Sequence, residues 1–184
     1  MKLSILLASA ALLATPLAAN ALVYQFNASI NGAQEVPVSA ATGTGLATLF
    51  YDDMGTPSTV GDSYSFSLSA FGLSGVATGF HIHAAALAGV NAPVVVNLNS
   101  PPFASLNVGG TLLVGGAGVA PPNATFLSDL LASKAYVNLH TAAKPGGEIR
   151  GQLIQVTAVP EPSTYAMLLA GIAALGFIAR RRQS

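Results

Sequence analysis

Residues 63–70 read Ser-Tyr-Ser-Phe-Ser-Leu-Ser-Ala, with an apolar side chain at every second position and serine between. That period suits an extended strand, whose successive side chains point to opposite faces, one toward a core and one toward water. A helix would scatter the same four apolar groups around its circumference. One-sided strands of this kind belong to antiparallel sheets. Further short segments share the extended character: Leu22–Ile30, Leu46–Tyr51, Gly79–Ala84, Pro93–Leu98, Thr111–Val114, Ala135–His140 and Glu148–Val156. Leu46–Tyr51 is apolar on both faces and reads as a central strand. Asp52–Pro57 and Val60–Asp62 carry turn chemistry, and Lys144-Pro145-Gly146-Gly147 predicts the turn between the last two strands. A single helix is expected over 124–133, with Asn123 as its cap and Phe126, Leu127, Leu130 and Leu131 as its apolar stripe. Many short strands with Gly/Pro turns predict an all-β, antiparallel β-sandwich with one short helix.

The two ends follow different rules. Met1-Lys2 precedes an apolar run, Leu3–Leu13, and Ala19-Asn20-Ala21 places small side chains at both recognition positions. A positive start, a short apolar stretch and an Ala-x-Ala site predict a secretory signal helix over 1–21, cut by signal peptidase after Ala21. At the other end stand Val159-Pro160-Glu161-Pro162-Ser163, an apolar stretch over 164–179, and Arg180-Arg181-Arg182 within the tail 180–184. No residue from Pro162 to Ala179 is charged, which just meets the ~18-residue length of a spanning helix. The arginines belong on the cytoplasmic side, leaving the preceding domain outside. Val-Pro-Glu-Pro, a short apolar helix and terminal arginines together resemble a PEP-CTERM sorting signal. The resemblance implies a transient inner-membrane anchor and cleavage by an exosortase-type membrane protease, followed by residence at the cell surface or outside the cell. A permanent anchor is the alternative. The prolines favour processing, because they hold the approach to the membrane extended.

Between these ends, residues 22–158 form one domain with three basic and six acidic side chains. There is no cationic excess to neutralise phosphates, and no nucleic acid is expected as a partner. The chain has no cysteine, which excludes disulfides, thiolate metal sites and cysteine nucleophiles. No Gly-x-Ser-x-Gly elbow supports a serine triad. Gly115-Gly116-Ala117-Gly118 opens no helix and does not read as a nucleotide loop.

Several segments in order carry a more specific likeness: Asn31-Gly32-Ala33-Gln34-Glu35-Val36-Pro37, Thr42–Thr48, Gly79-Phe80-His81-Ile82-His83, Gly89–Val95, Tyr136–Thr141 and Pro145–Leu153. Together they resemble the CHRD domain, a module of exported proteins, over essentially all of Leu22–Val156. The sequence departs from it at Ala84-Ala85-Ala86, where many members have Gly-Pro. The resemblance implies an extracellular, immunoglobulin-like β domain without a settled activity.

The three histidines are the candidate chemistry. His81 and His83 are two apart on one strand and share a face, opposite Phe80 and Ile82. His140 shares its face with Tyr136 and Asn138, while Val137 and Leu139 turn to the core. Three neutral imidazoles suit copper or zinc rather than calcium or magnesium. Glu148 and Arg150, alternating with Ile149, are candidate outer partners of such a site. Gly-Phe-His-Ile-His with a late histidine and arginine is similar to copper–zinc superoxide dismutase, which implies His81, His83 and His140 as copper ligands in a superoxide-dismutase-like sandwich. The bridging histidine, zinc ligands and cysteines of that family are absent here, so no dismutase is implied. The other reading has the histidines hydrogen-bonding along a polar sheet face and binding nothing. The leading functional reading is a non-enzymatic binding or structural module of the envelope or exopolysaccharide matrix, with exopolysaccharide or other envelope proteins as partners. A metal-binding or redox protein is the alternative, and no cofactor is assigned beyond copper or zinc there.

The processing signals yield a direct expectation. The mature protein begins at Leu22, and the form released from the cell lacks Arg180–Ser184. Mass spectrometry of both termini checks this, and an intact arginine tail on released protein refutes the sorting reading.

Overall fold

The computed structural model describes residues 21–156, together with Leu169, Gly171 and Ile172, which are helical. The expected signal helix and most of the expected hydrophobic helix over 164–179 lie outside the described residues. The chain forms β1 (Val23–Asn31), a 3-10 turn (Gly32–Gln34), β2 (Thr44–Asp52), β3 (Ser63–Phe71), β4 (Ala77–Ala84), β5 (Val94–Asn97), β6 (Ala104–Val108) and β7 (Thr111–Val119). There follow α1 (Phe126–Leu131), β8 (Ala135–Thr141), β9 (Lys144–Gln152) and β10 (Ile154–Gln155).

All strand pairs are antiparallel, in the order β5-β4-β8-β9-β1-β2-β3-β7-β6, with β10 also on β1. The β9–β1 link is a single residue pair, Asn31 opposite Arg150. The sheet therefore behaves as two halves hinged at that pair and curled face to face into a sandwich. Between them lies one apolar cluster, with Phe26, Leu49, Phe66 and Leu112 from one half and Phe80, Ile82, Val137 and Ile149 from the other. Aromatic rings close one end. Phe126 of α1 meets Tyr64 at 5.4 Å and Tyr51 at 6.4 Å between centroids.

The period-two reading of β3 holds, with Tyr64, Phe66, Leu68 and Ala70 buried. Other expectations need correction. β2 is central, between β1 and β3, yet its apolar residues are not all inside. Leu46 is 65% and Phe50 42% exposed, because only one face of this half meets the core. Strand β6, not expected from sequence, is an edge strand buried on neither face. The turn expected at Lys144–Gly147 falls instead on Ala142-Ala143, and those four residues run into β9. The expected last strand breaks into β9 and β10 around the buried Leu153. The helix is shorter than expected, burying Phe126 and Leu130 while Leu131 stays exposed. Asn123 stands two residues before the cap position, Thr125, its Oδ1 accepting from the Thr125 amide at 3.0 Å.

Both ends of the domain meet beside the start of β1. The Leu22 amide donates to Asp53 Oδ1 at 2.8 Å, and the Val156 amide donates to the Gln25 carbonyl at 2.8 Å.

Truncating the centre of this core has a measurable effect. Phe66→Ala is expected to destabilise the domain by about 3–5 kcal/mol, whereas Leu46→Ser on the outer face stays within about 0.5 kcal/mol. Urea unfolding of the two variants checks both values.

Candidate functional site

Strands β4, β8 and β9 turn Phe80, Ile82, Val137, Leu139 and Ile149 into the core, so their intervening residues share the other face. Cross-strand register then sets the neighbours: Gly79 faces His140, His81 faces Asn138, and His83 faces Tyr136. On the next strand Asn138 faces Arg150, and Arg150 faces Asn31. A polar row thus crosses four strands, from His81 to Asn31.

The register brings the three histidines together. One ring nitrogen from each of His81, His83 and His140 lies within 4.8 Å of the others. Centroid distances are 5.8 Å for His81–His83 and 5.4 Å for His81–His140. Gly79 makes room for this convergence. A Cβ there would stand 3.0 Å from His81 Cε1 and 3.5 Å from His140 Cδ2.

Hydrogen bonds fix two of the tautomers. His83 Nδ1 is 2.9 Å from the Ala92 carbonyl and His140 Nδ1 is 3.0 Å from the Pro145 carbonyl. A carbonyl only accepts, so both Nδ1 atoms carry the proton and both Nε2 atoms present a lone pair. His83 Nε2 is buried without a partner, as is His81 Nδ1. Burial, followed by the charge of the other two imidazoles, holds His81 below the ordinary histidine range; burial does the same for His83, against the Ala92 hydrogen bond and helped by the charges of His140 and Arg150.

The His83 ring is stacked on Tyr136, 4.7 Å between centroids and 2° from parallel. The Arg150 guanidinium lies 3.4 Å from the centre of the same ring. Since β4 and β9 flank β8, His83 and Arg150 hold Tyr136 from opposite sides. Arg150 Nη1 donates to Asn91 Oδ1 at 3.1 Å and Nη2 to the Val90 carbonyl at 2.8 Å. The segment containing Val90–Ala92 is also tied by the Ala92 amide to Tyr136 Oη at 3.0 Å. This segment covers Arg150, which is only 1% exposed; Glu148, equally buried, is enclosed by Ser74 and Thr141 instead. The polar face is therefore an interior of its own.

The two expected outer partners diverge. Glu148 accepts from the Ser74 amide at 2.6 Å, from Ser74 Oγ at 2.7 Å and from Thr141 Oγ1. Burial raises this carboxyl, but those donors prevail and hold it below its usual range. No histidine is among its hydrogen-bond partners. Arg150 reaches the site through Tyr136 and His83. Two further residues beside this face are not revealed by alternation alone. Gly79 needs the β4–β8 register to be recognised. Glu35, on the loop after β1, is 4% exposed and presses on Gly147, whose Cβ would stand 2.5 Å from Glu35 Oε2. Burial pushes the Glu35 carboxyl up to about 7, against the pull of Arg150. Glu35, Arg150, Pro37 and Gln152 line an open cleft of about 440 Å³.

Family comparison agrees with the sequence likeness. The CHRD domain model matches residues 26–153, and the PEP-CTERM protein-sorting motif matches residues 158–183. No curated protein and no solved structure matches the chain. The sorting motif marks an exported protein that is anchored transiently in the membrane and then attached at the surface through exosortase.

The raised Glu35 carboxyl gives a pH expectation. A group whose folded pKa exceeds its unfolded value contributes stability that is complete below the unfolded value and is lost as pH climbs through the folded one. In chelator-treated protein the wild-type melting temperature falls between pH 5 and pH 8, and Glu35→Gln removes that part of the slope. Calorimetry across this range checks it, and parallel curves for the two proteins refute it.

Proposed function

The chain belongs to the CHRD family, and from that premise we propose an exported envelope or matrix module whose sandwich holds one transition-metal ion at His81, His83 and His140. The observation that carries this reading is the convergence of three imidazoles over Gly79, with His83 Nε2 buried and lacking any partner. A buried polar atom without a partner is unfavourable by about 1–3 kcal/mol, and a metal ion is one partner that satisfies it. Neutral imidazole donors select copper or zinc over oxygen-seeking calcium or magnesium. At metal–nitrogen distances of ~2.0–2.1 Å the three nitrogens would stand closer than they do now. Small rotations of His81 and His140 over the open floor at Gly79 supply that closure. Three protein ligands leave a further position for water or an external group.

In this reading the ion braces β4 against β8, and the module is a binding or structural one. The competing reading leaves the same histidines as polar interior residues of a metal-free module.

Metal titration separates the two. Added Zn²⁺ or Cu²⁺ should raise the melting temperature of the exported protein, by the equivalent of about 2.7 kcal/mol at roughly 100 times Kd. His140→Ala should abolish the rise. Because burial holds His81 and His83 below the ordinary histidine range, the effect should persist through that range and be lost only at lower pH, where protonated imidazoles cannot coordinate. An unmoved melting temperature, with no metal found by elemental analysis, defeats the proposal.

A further inference from the structure

Three atoms of the polar interior are buried without hydrogen-bond partners: His81 Nδ1, Asn138 Oδ1 and Glu35 Oε1. His81 and Asn138 are directly opposed on β4 and β8, which puts their Cβ atoms about 4.5–5.5 Å apart on one face. The Asn138 amide also lies beside the Glu35 carboxylate, close enough to favour its charged form. One asparagine can serve both neighbours, because its carbonyl accepts while its NH2 donates.

We propose that Asn138 and Glu35 are positioning residues for the histidine site, joined as a relay in which His81 Nδ1–H donates to Asn138 Oδ1 and Asn138 Nδ2–H donates to Glu35 Oε1. The relay satisfies all three orphaned atoms with one set of small side-chain adjustments. It also makes the histidines alike. His83 and His140 already spend Nδ1–H on the Ala92 and Pro145 carbonyls, and the relay gives His81 the same arrangement. All three then present Nε2, and the Cε1–Nε2 edge of His81 is the one that overlies Gly79. Glu35 supplies the distant negative charge that raises the basicity of a metal-binding imidazole through its hydrogen-bonded partner. Arg150, which faces Asn138 from β9, keeps that carboxylate from being an isolated buried charge. The cleft containing Glu35 and the histidine cluster are thereby parts of one site. The metal role of the relay rests on the proposed function; its hydrogen-bond geometry does not.

Two measurements on ¹⁵N-labelled exported protein test it. In metal-free wild type, imidazole ¹⁵N spectra should show His81 as the Nδ1–H tautomer, like His83 and His140. In Asn138→Leu, His81 alone should lose that signature. With Zn²⁺ at about pH 8, above the value of about 7 to which burial raises Glu35, Glu35→Gln keeps the shape and an acceptor but removes the charge. It should weaken binding by about ten- to a hundred-fold while leaving all three tautomers in place. An Nε2–H His81 in the metal-free wild type overturns the relay without needing any variant, and so does wild-type Zn²⁺ affinity in Glu35→Gln. If wild type shows the Nδ1–H signature but binds no Zn²⁺, the metal reading fails alone, and the hydrogen-bonded path is confirmed as a structural one.

Discussion

The architecture depends on where Arg150 sits. Its backbone makes the one pairing that joins the two halves of the sheet, and its guanidinium lies flat on Tyr136 beneath the segment that roofs the polar face. A buried guanidinium is unfavourable unless its donors and charge are answered. Here an amide oxygen, a backbone carbonyl, an aromatic face and the nearby Glu35 carboxylate share that task. Through Tyr136 the same side chain orients His83. The joint of the sandwich and the orientation of a candidate ligand are thus settled by one residue.

Much of the fold could be read from alternation, because a side-chain period of two reports directly which residues face the core. Ser63–Ala70 shows this most plainly. The failures come where that signal is weak or doubly determined. Ala104–Val108 lies at an edge and buries almost nothing, so no apolar pattern is required of it. Lys144–Gly147 has strong turn composition, yet the reversal occurs at Ala142-Ala143 because β8 and β9 pair through an irregular register between Leu139 and Thr141.

The site was legible to a different degree. Alternation places His81, His83 and His140 on the non-core faces of their strands, but whether they meet depends on the register of β4 against β8, which no local pattern states. The same limit hides Gly79. Loop closure hides more: the sequence gives no sign that residues around Asn91 and Glu35 fold over this face. For that reason Arg150, expected on an open polar surface, is buried, while Glu148 is buried by Ser74 and Thr141. That polar interior holds most of the buried polar atoms that lack a partner among the described residues.

Because the two ends of the domain meet beside the start of β1, the segments before and after it leave from the same pole. Along β1, the pairing of Gln155 with Phe26 and that of Arg150 with Asn31 are separated by about 17 Å of strand. The tail leaves the domain from the first level, whereas His81 lies in the row of the second. A cut beyond Val156 is therefore made at a distance from the row that holds His81, and at the pole that both ends of the domain share.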